Sequence, residues 1–115
     1  QQKQAEENLR KSEEKYRSVY EVSRDGLFLT NADTNKILEA NTSGAQMFEH
    51  DKDVLRSMSI LQLAADKNTM QQALKRRDEL ILDVWGLTRT GNRFPMEISL
   101  NYYQRNGINY HIATL

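Results

Sequence analysis

The chain has 115 residues, enough for one domain with one core. Its 16 basic and 16 acidic residues give a formal net charge of zero, which argues against broad electrostatic capture of nucleic acid. It contains no cysteine, so disulfides, zinc–cysteine sites and thiol nucleophiles are excluded, and no apolar run approaches the length of a membrane span.

Residues 1–22 are polar, charged and free of Gly and Pro. Ala5, Leu9, Ser12, Tyr16 and Val19 recur at spacings of four and three, with Tyr20 beside them, and predict a helix with a thin apolar stripe. Glu6/Arg10 and Glu13/Arg17 are i,i+4 pairs in the favourable order. Two readings stay open for this segment: a solvated helix packed on its own domain, and a linker helix that pairs with a second copy.

Ser23-Arg24-Asp25-Gly26 breaks the helix, and Leu27 to Asn31 then reads as a short strand. Ala32-Asp33-Thr34-Asn35 is a turn built of residues that bond their own backbone, and Lys36 to Ala40 is the partner strand. Asn41 is placed to cap a helix carrying Ala45, Met47 and Phe48 inward and ending near Glu49 or His50. Residues 51–65 are less regular; Val54, Leu55, Met58, Ile60, Leu61 and Leu63 suggest short helical turns with apolar contacts. Asp66 caps a helix expected over 67–77, with Met70, Ala73 and Leu74 on one face and Arg76-Arg77 suited to the negative end of its dipole.

From Leu80 onward the pattern changes to period two. Phe94, Met96, Ile98, Leu100 and Tyr102 share one parity, and Arg93, Pro95, Glu97, Ser99 and Asn101 the other. Thr90-Gly91-Asn92 separates this strand from Leu80–Thr88, and Asn106-Gly107 separates it from Ile108–Thr114. Ile108, Tyr110 and Ile112 in step predict the apolar parity of the last strand. The result is a three-stranded antiparallel meander whose apolar face the preceding helices must cover.

The order of these elements, with their residues, resembles a PAS sensory domain over nearly the whole chain. Ser12-Glu13-Glu14-Lys15-Tyr16-Arg17 looks like the lead-in helix of such domains in bacterial and archaeal signalling proteins. Asp25-Gly26-Leu27-Phe28-Leu29-Thr30-Asn31 looks like the first strand, and Ile37-Leu38-Glu39-Ala40-Asn41 like the second with its trailing Asn. Arg89-Thr90-Gly91-Asn92-Arg93-Phe94-Pro95-Met96-Glu97-Ile98-Ser99-Leu100 looks like the family's turn and strand with Gly, Phe-Pro and Glu. Two departures are Gly44 and Trp85, and the family's Asp-x-Thr after the last strand is absent.

The resemblance implies an α+β fold: a five-stranded antiparallel sheet with short helices over one face and an N-terminal amphipathic helix. Residues 1–22 would be a linker or capping helix and residues 23–115 the sensory domain. A ligand pocket, where there is one, would lie between sheet and helices. Its candidate lining is Phe28, Thr30, Leu38, Asn41, Met47, Ile60, Met70, Leu74, Val84, Phe94 and Met96. For each of them ordinary core packing is the favoured alternative. Thr30, Asn41 and Thr88 would supply the polar contacts.

Flavin-adduct photochemistry of the LOV type is excluded for want of cysteine. Non-covalent flavin finds no motif that demands it. Heme is disfavoured because the helix after Asp66 carries no His; His50 is expected in water and His111 on a surface or sheet face. No cofactor is therefore expected. His50-Asp51 and Glu39 form no catalytic constellation, and Asp51-Lys52-Asp53 does not continue as a metal loop.

The expected function is that of a non-catalytic, cytoplasmic sensory or signal-transmission module cut from a larger signalling protein, a sensor histidine kinase in the first instance, with or without a membrane anchor elsewhere. Its partners would be a second copy, through Leu9, Tyr16, Val19 and Tyr20, and an output domain in the same polypeptide; neither nucleic acid nor direct membrane insertion is expected. The alternative is a ligand-free dimerisation or protein-interaction module, for example in a diguanylate cyclase or transcriptional regulator.

Overall fold

The computed structural model describes residues 17–115. It begins with α1, helical over 17–22. There follow β1 (Leu27–Asn31), β2 (Ile37–Ala40), α2 (Thr42–Phe48), α3 (Lys52–Leu55), a 3₁₀ turn (Ile60–Leu63), α4 (Lys67–Lys75), β3 (Leu80–Leu87), β4 (Arg93–Arg105) and β5 (Ile108–Thr114). The strands form one antiparallel sheet in the order β2-β1-β5-β4-β3. The expected α+β fold, with its five strands and short helices, is present.

Local chemistry explains most boundaries. Asn31 Oδ1 accepts the backbone N–H groups of Asp33 and Thr34 at 2.8 and 3.2 Å, closing the β1–β2 turn. Asp66 Oδ1 accepts from Thr69 N–H and caps α4, and Ser59 and Gln62 form a reciprocal capping box on the 3₁₀ turn. Asn106 and Gly107 both take positive φ, 54° and 77°, as a two-residue hairpin turn requires. The helix expected to reach Arg77 stops at Lys75, and Arg77 adopts a left-handed φ of 53°. That places its side chain against the sheet instead of in the last helical turn.

The core lies between the helices and one face of the sheet. Phe28, Ile37, Phe48, Leu55, Ile60, Leu63, Met70, Leu74, Ile98 and Leu100 are all 3 % exposed or less. Phe94, Met96, Ile98, Leu100 and Tyr102 face it from β4, as their parity predicts.

The parity expected for β5 is reversed. The tight turn at Asn106-Gly107 pairs Tyr102 with His111 and Leu100 with Ala113. His111 and Ala113 therefore look into the core, each 1 % exposed, and Ile108, Tyr110 and Ile112 lie on the outer face. Register set by the turn overrides apolar count, because a slip of one residue would turn every β4 contact to the wrong side. The outer face gains a stacked pair, Tyr103 on Tyr110, with ring centroids 5.1 Å apart.

Candidate functional site

Asn41 is the point where the N-terminal half converges. It is fully buried. Its Oδ1 accepts from Leu27 N–H, at the start of β1, and from Gly44 N–H, in the first turn of α2, both at 2.9 Å. Its Nδ2 donates to the carbonyls of Tyr20 in α1 and Asp25 in the following loop, both at 2.9 Å. One amide thus holds α1, the loop, β1 and α2 together. An amide offers two acceptor and two donor positions, and all four are used within the chain. The cap expected of Asn41 is present. The polar ligand contact also expected of it has no capacity left.

Further bonds fasten the same corner. Ser43 Oγ donates to Ser23 O at 2.6 Å, and the Tyr20 hydroxyl donates to Leu27 O at 3.3 Å. Glu21 Oε2 accepts from Lys52 Nζ at 2.6 Å and from Thr42 Oγ1 at 2.8 Å. The lysine bond, chiefly, holds the Glu21 carboxyl below its ordinary pKa. Gly44 explains itself here: a Cβ on it would stand 2.8 Å from Phe28 Cζ and 3.2 Å from Asn41 Oδ1, so only glycine lets α2 seat against β1.

The space between sheet and helices is filled by aromatic rings. Phe28 meets Phe48 edge-on at 5.7 Å, and Phe48 meets Phe94 at 5.2 Å. Of the residues named from sequence, Phe28, Thr30, Asn41, Ile60, Met70 and Leu74 are buried; Leu38 and Val84 are half-buried. Met47, Phe94 and Met96 are brought together differently, in an open cleft of about 460 Å³ that Asp25, Pro95, Glu97, Ser99, Thr114 and Leu115 also line. Among the dimer candidates, Val19 is 62 % exposed, whereas Tyr20 is half-buried against β1. Leu9 and Tyr16 lie outside the described residues.

A second polar network closes the opposite end of the sheet. Arg77 Nη2 donates to Asp33 Oδ1 at 2.7 Å, and Asn109 Nδ2 donates to the same carboxylate at 3.2 Å. Asn109 Oδ1 accepts from the Tyr102 hydroxyl at 2.9 Å and from Gln104 Nε2 at 2.8 Å. The Arg77 guanidinium lies 5.5 Å from the Tyr102 ring centroid, and Tyr102 packs edge-on against His111, also at 5.5 Å. The Arg77 and Asn109 bonds hold the Asp33 carboxyl below its usual pKa. Burial, with a smaller contribution from the Arg77 charge, pushes the His111 imidazole down. His50, expected in water, is half-buried.

Sequence reasoning missed this network. Arg77 reads as a dipole-suited helix end and Tyr102 as one more apolar position. The signal was present only as a pairing, because register sets Tyr102 beside His111 across the hairpin. Among the described residues no group of three or more His, Asp or Glu is placed to hold a metal ion, and no helix is long and apolar enough to cross a membrane.

A family model described as PAS domain matches residues 14–89. No curated protein matches the chain. Among solved structures, the PAS domain of an HTR-like protein from Haloarcula marismortui superposes with a TM-score of 0.84 at 19% identity, covering 97% of this chain and 96% of that one. A domain of a sensory box sensor histidine kinase/response regulator from Geobacter sulfurreducens gives 0.77 at 22% identity, covering 93% and 96%. The PAS domain of a LuxR-family transcriptional regulator from Burkholderia thailandensis, in complex with ethanol, gives 0.72 at 15% identity, covering 87% and 95%.

Proposed function

This chain belongs to the PAS domain family, and from that premise we propose that it transmits a signal between its sheet–helix body and the helix that leads into it, as part of a larger signalling protein of the histidine kinase type. The observation that carries the reading is the Asn41 junction. Tyr20 in α1, Leu27 in β1 and Gly44 in α2 share one buried amide. A change in how β1 packs against α2 therefore reaches α1 through bonds about 3 Å long. Residues 1–22 act as the linker helix and 23–115 as the sensory body. Two copies pair through the stripe of Leu9, Tyr16 and Val19, and the pairing hands the change to an output domain in the same polypeptide. A signal works this way only by favouring one packing of the junction over another.

Light scattering on the full chain tests the pairing. The expected result is a dimer that Leu9→Asp with Val19→Asp converts to a monomer. A chain that is already monomeric at tens of micromolar, or a dimer untouched by both charges, overturns the relay.

A second reading concerns what the body senses. The aromatic filling by Phe28, Phe48 and Phe94 favours an interior without a ligand, and so an interaction module. The cleft at Met47, Phe94 and Met96 is the place for a small, mostly apolar molecule. The Burkholderia thailandensis relative was crystallised with ethanol, a molecule of suitable scale. Native mass spectrometry separates the two: a retained small molecule supports the sensor, and bare chain mass supports the interaction module.

A further inference from the structure

The outer face of the sheet is not uniform. Over β3 and the first half of β4 it presents Ile81, 65 % exposed, and Trp85, 55 % exposed. Cross-strand register sets Ile81 beside Ser99, Asp83 beside Glu97 and Trp85 beside Pro95, all on the side away from the core. A shallow hollow of about 300 Å³ lies among Asp83, Trp85, Pro95 and Glu97. Its floor is fixed, because Ala65 N–H donates to the Trp85 carbonyl at 2.9 Å and Ala64 bridges to Gly86.

Two features of this patch oppose stability in the isolated chain. Like charges directly opposite on neighbouring strands repel, and neither Asp83 nor Glu97 has a cation among the described residues. The indole, the largest apolar group in the chain, is left more than half in water. One chemical group answers both. A guanidinium stacks flat on an indole and donates to two carboxylates from its edges, and the apolar stem of an arginine would lie along Ile81.

We infer that this face docks a basic segment of another polypeptide through an arginine, its guanidinium between Asp83 and Glu97 and its plane on Trp85. Charge complementarity selects that occupant: a second copy applied by the same patch would bring its own acid pair against this one, and a nucleic acid would be repelled. The inference is independent of the relay proposed for α1, since none of these residues takes part in the hydrogen bonds of the Asn41 junction.

Trp85 is the only tryptophan in the chain, so its fluorescence reports the site directly. The probe is a blocked peptide of alternating leucine and arginine, with a twin carrying glutamine for every arginine. The full chain is expected to show a saturable change in Trp85 emission with the arginine peptide alone. The variant Asp83→Asn/Glu97→Gln is expected to weaken that binding by roughly tenfold or more, as the loss of two charge-assisted contacts requires. Both substitutions are at exposed positions and relieve repulsion, so circular dichroism should report an unchanged fold. No response below millimolar peptide, an equal response to the glutamine twin, or full affinity in the double variant overturns the inference. So does an emission change on concentrating the chain alone that light scattering assigns to a dimer, because a second copy then holds the patch.

Discussion

The two ends of the sheet solve the same problem in opposite ways. At the α1 end a single neutral amide, fully buried, closes four hydrogen bonds at 2.9 Å. At the β4–β5 hairpin end a charged network of Asp33, Arg77, Asn109 and Tyr102 does the closing, with the Asp33 and Arg77 side chains about half in solvent. A buried neutral hub has no titration and little response to salt, so its geometry persists across conditions. An exposed ionic network is screened and is worth little on average. The first is suited to holding a connection that must not slip. The second borders the only buried titratable group among the described residues, His111.

The largest test of that contrast is Asn41→Ala. It strands Leu27 N–H, Gly44 N–H and two carbonyls in a site without water access, at about 1–3 kcal/mol for each group left unpaired. Partial relaxation reduces the sum, and the expected loss is about 3–5 kcal/mol by urea denaturation, at the high end for a point change. Asn41→Asp sharpens the point. A carboxylate keeps the two N–H partners but faces the Tyr20 and Asp25 carbonyls, so its folded pKa is raised. The penalty is then full above that pKa and shrinks as pH falls toward the unfolded value near 3.9. A cost of only about 1 kcal/mol for the alanine variant, or an aspartate variant with no pH dependence of its own, would place the junction's strength elsewhere.

How legible this was from the sequence depends on how local each cause is. The meander, the caps at Asn41 and Asp66 and the hairpin at Asn106-Gly107 rest on neighbours in the chain, and they are present as expected. The β5 parity was misread because Ile108, Tyr110 and Ile112 outweigh His111 and Ala113 in apolar count, while the turn fixes register regardless. Asn41 was visible as a cap, but its hold on Tyr20 and Asp25 spans up to 21 positions and needs the folded chain. Gly44 looked like a departure until Phe28 supplied its reason. Phe48, expected to face inward, fills the interior together with Phe28 and Phe94.

A smaller effect is expected at the other end. The folded pKa of His111 is lowered, so the unfolded chain binds the proton more readily. Stability from this group is therefore complete above the unfolded pKa near 6.5 and is lost as pH falls from there through the folded value. His111→Gln should flatten the stability profile in that window and leave Asn41-dependent stability unchanged. Tyr102 from β4, Thr30 from β1 and Arg77 beyond α4 are the groups that face the imidazole, and of these Arg77 alone carries charge at these pH values. An unaltered slope in the glutamine variant would mean that another group carries the acid sensitivity.

The smallest change is Asp33→Asn. The amide keeps an oxygen for Asn109 or Arg77 but removes the charge, and the pair is exposed enough that the midpoint of unfolding should move barely beyond error. Its use lies in what it does to His111. With Asp33 neutral, the Arg77 charge is no longer offset, and the imidazole pKa should move further down; Arg77→Gln should move it up. Both shifts are read by NMR titration of the His111 ring, and both should fade in about 1 M salt, where screening acts over ~3 Å. If neither substitution moves the titration, desolvation alone sets the imidazole, and the two ends of the sheet differ only in exposure.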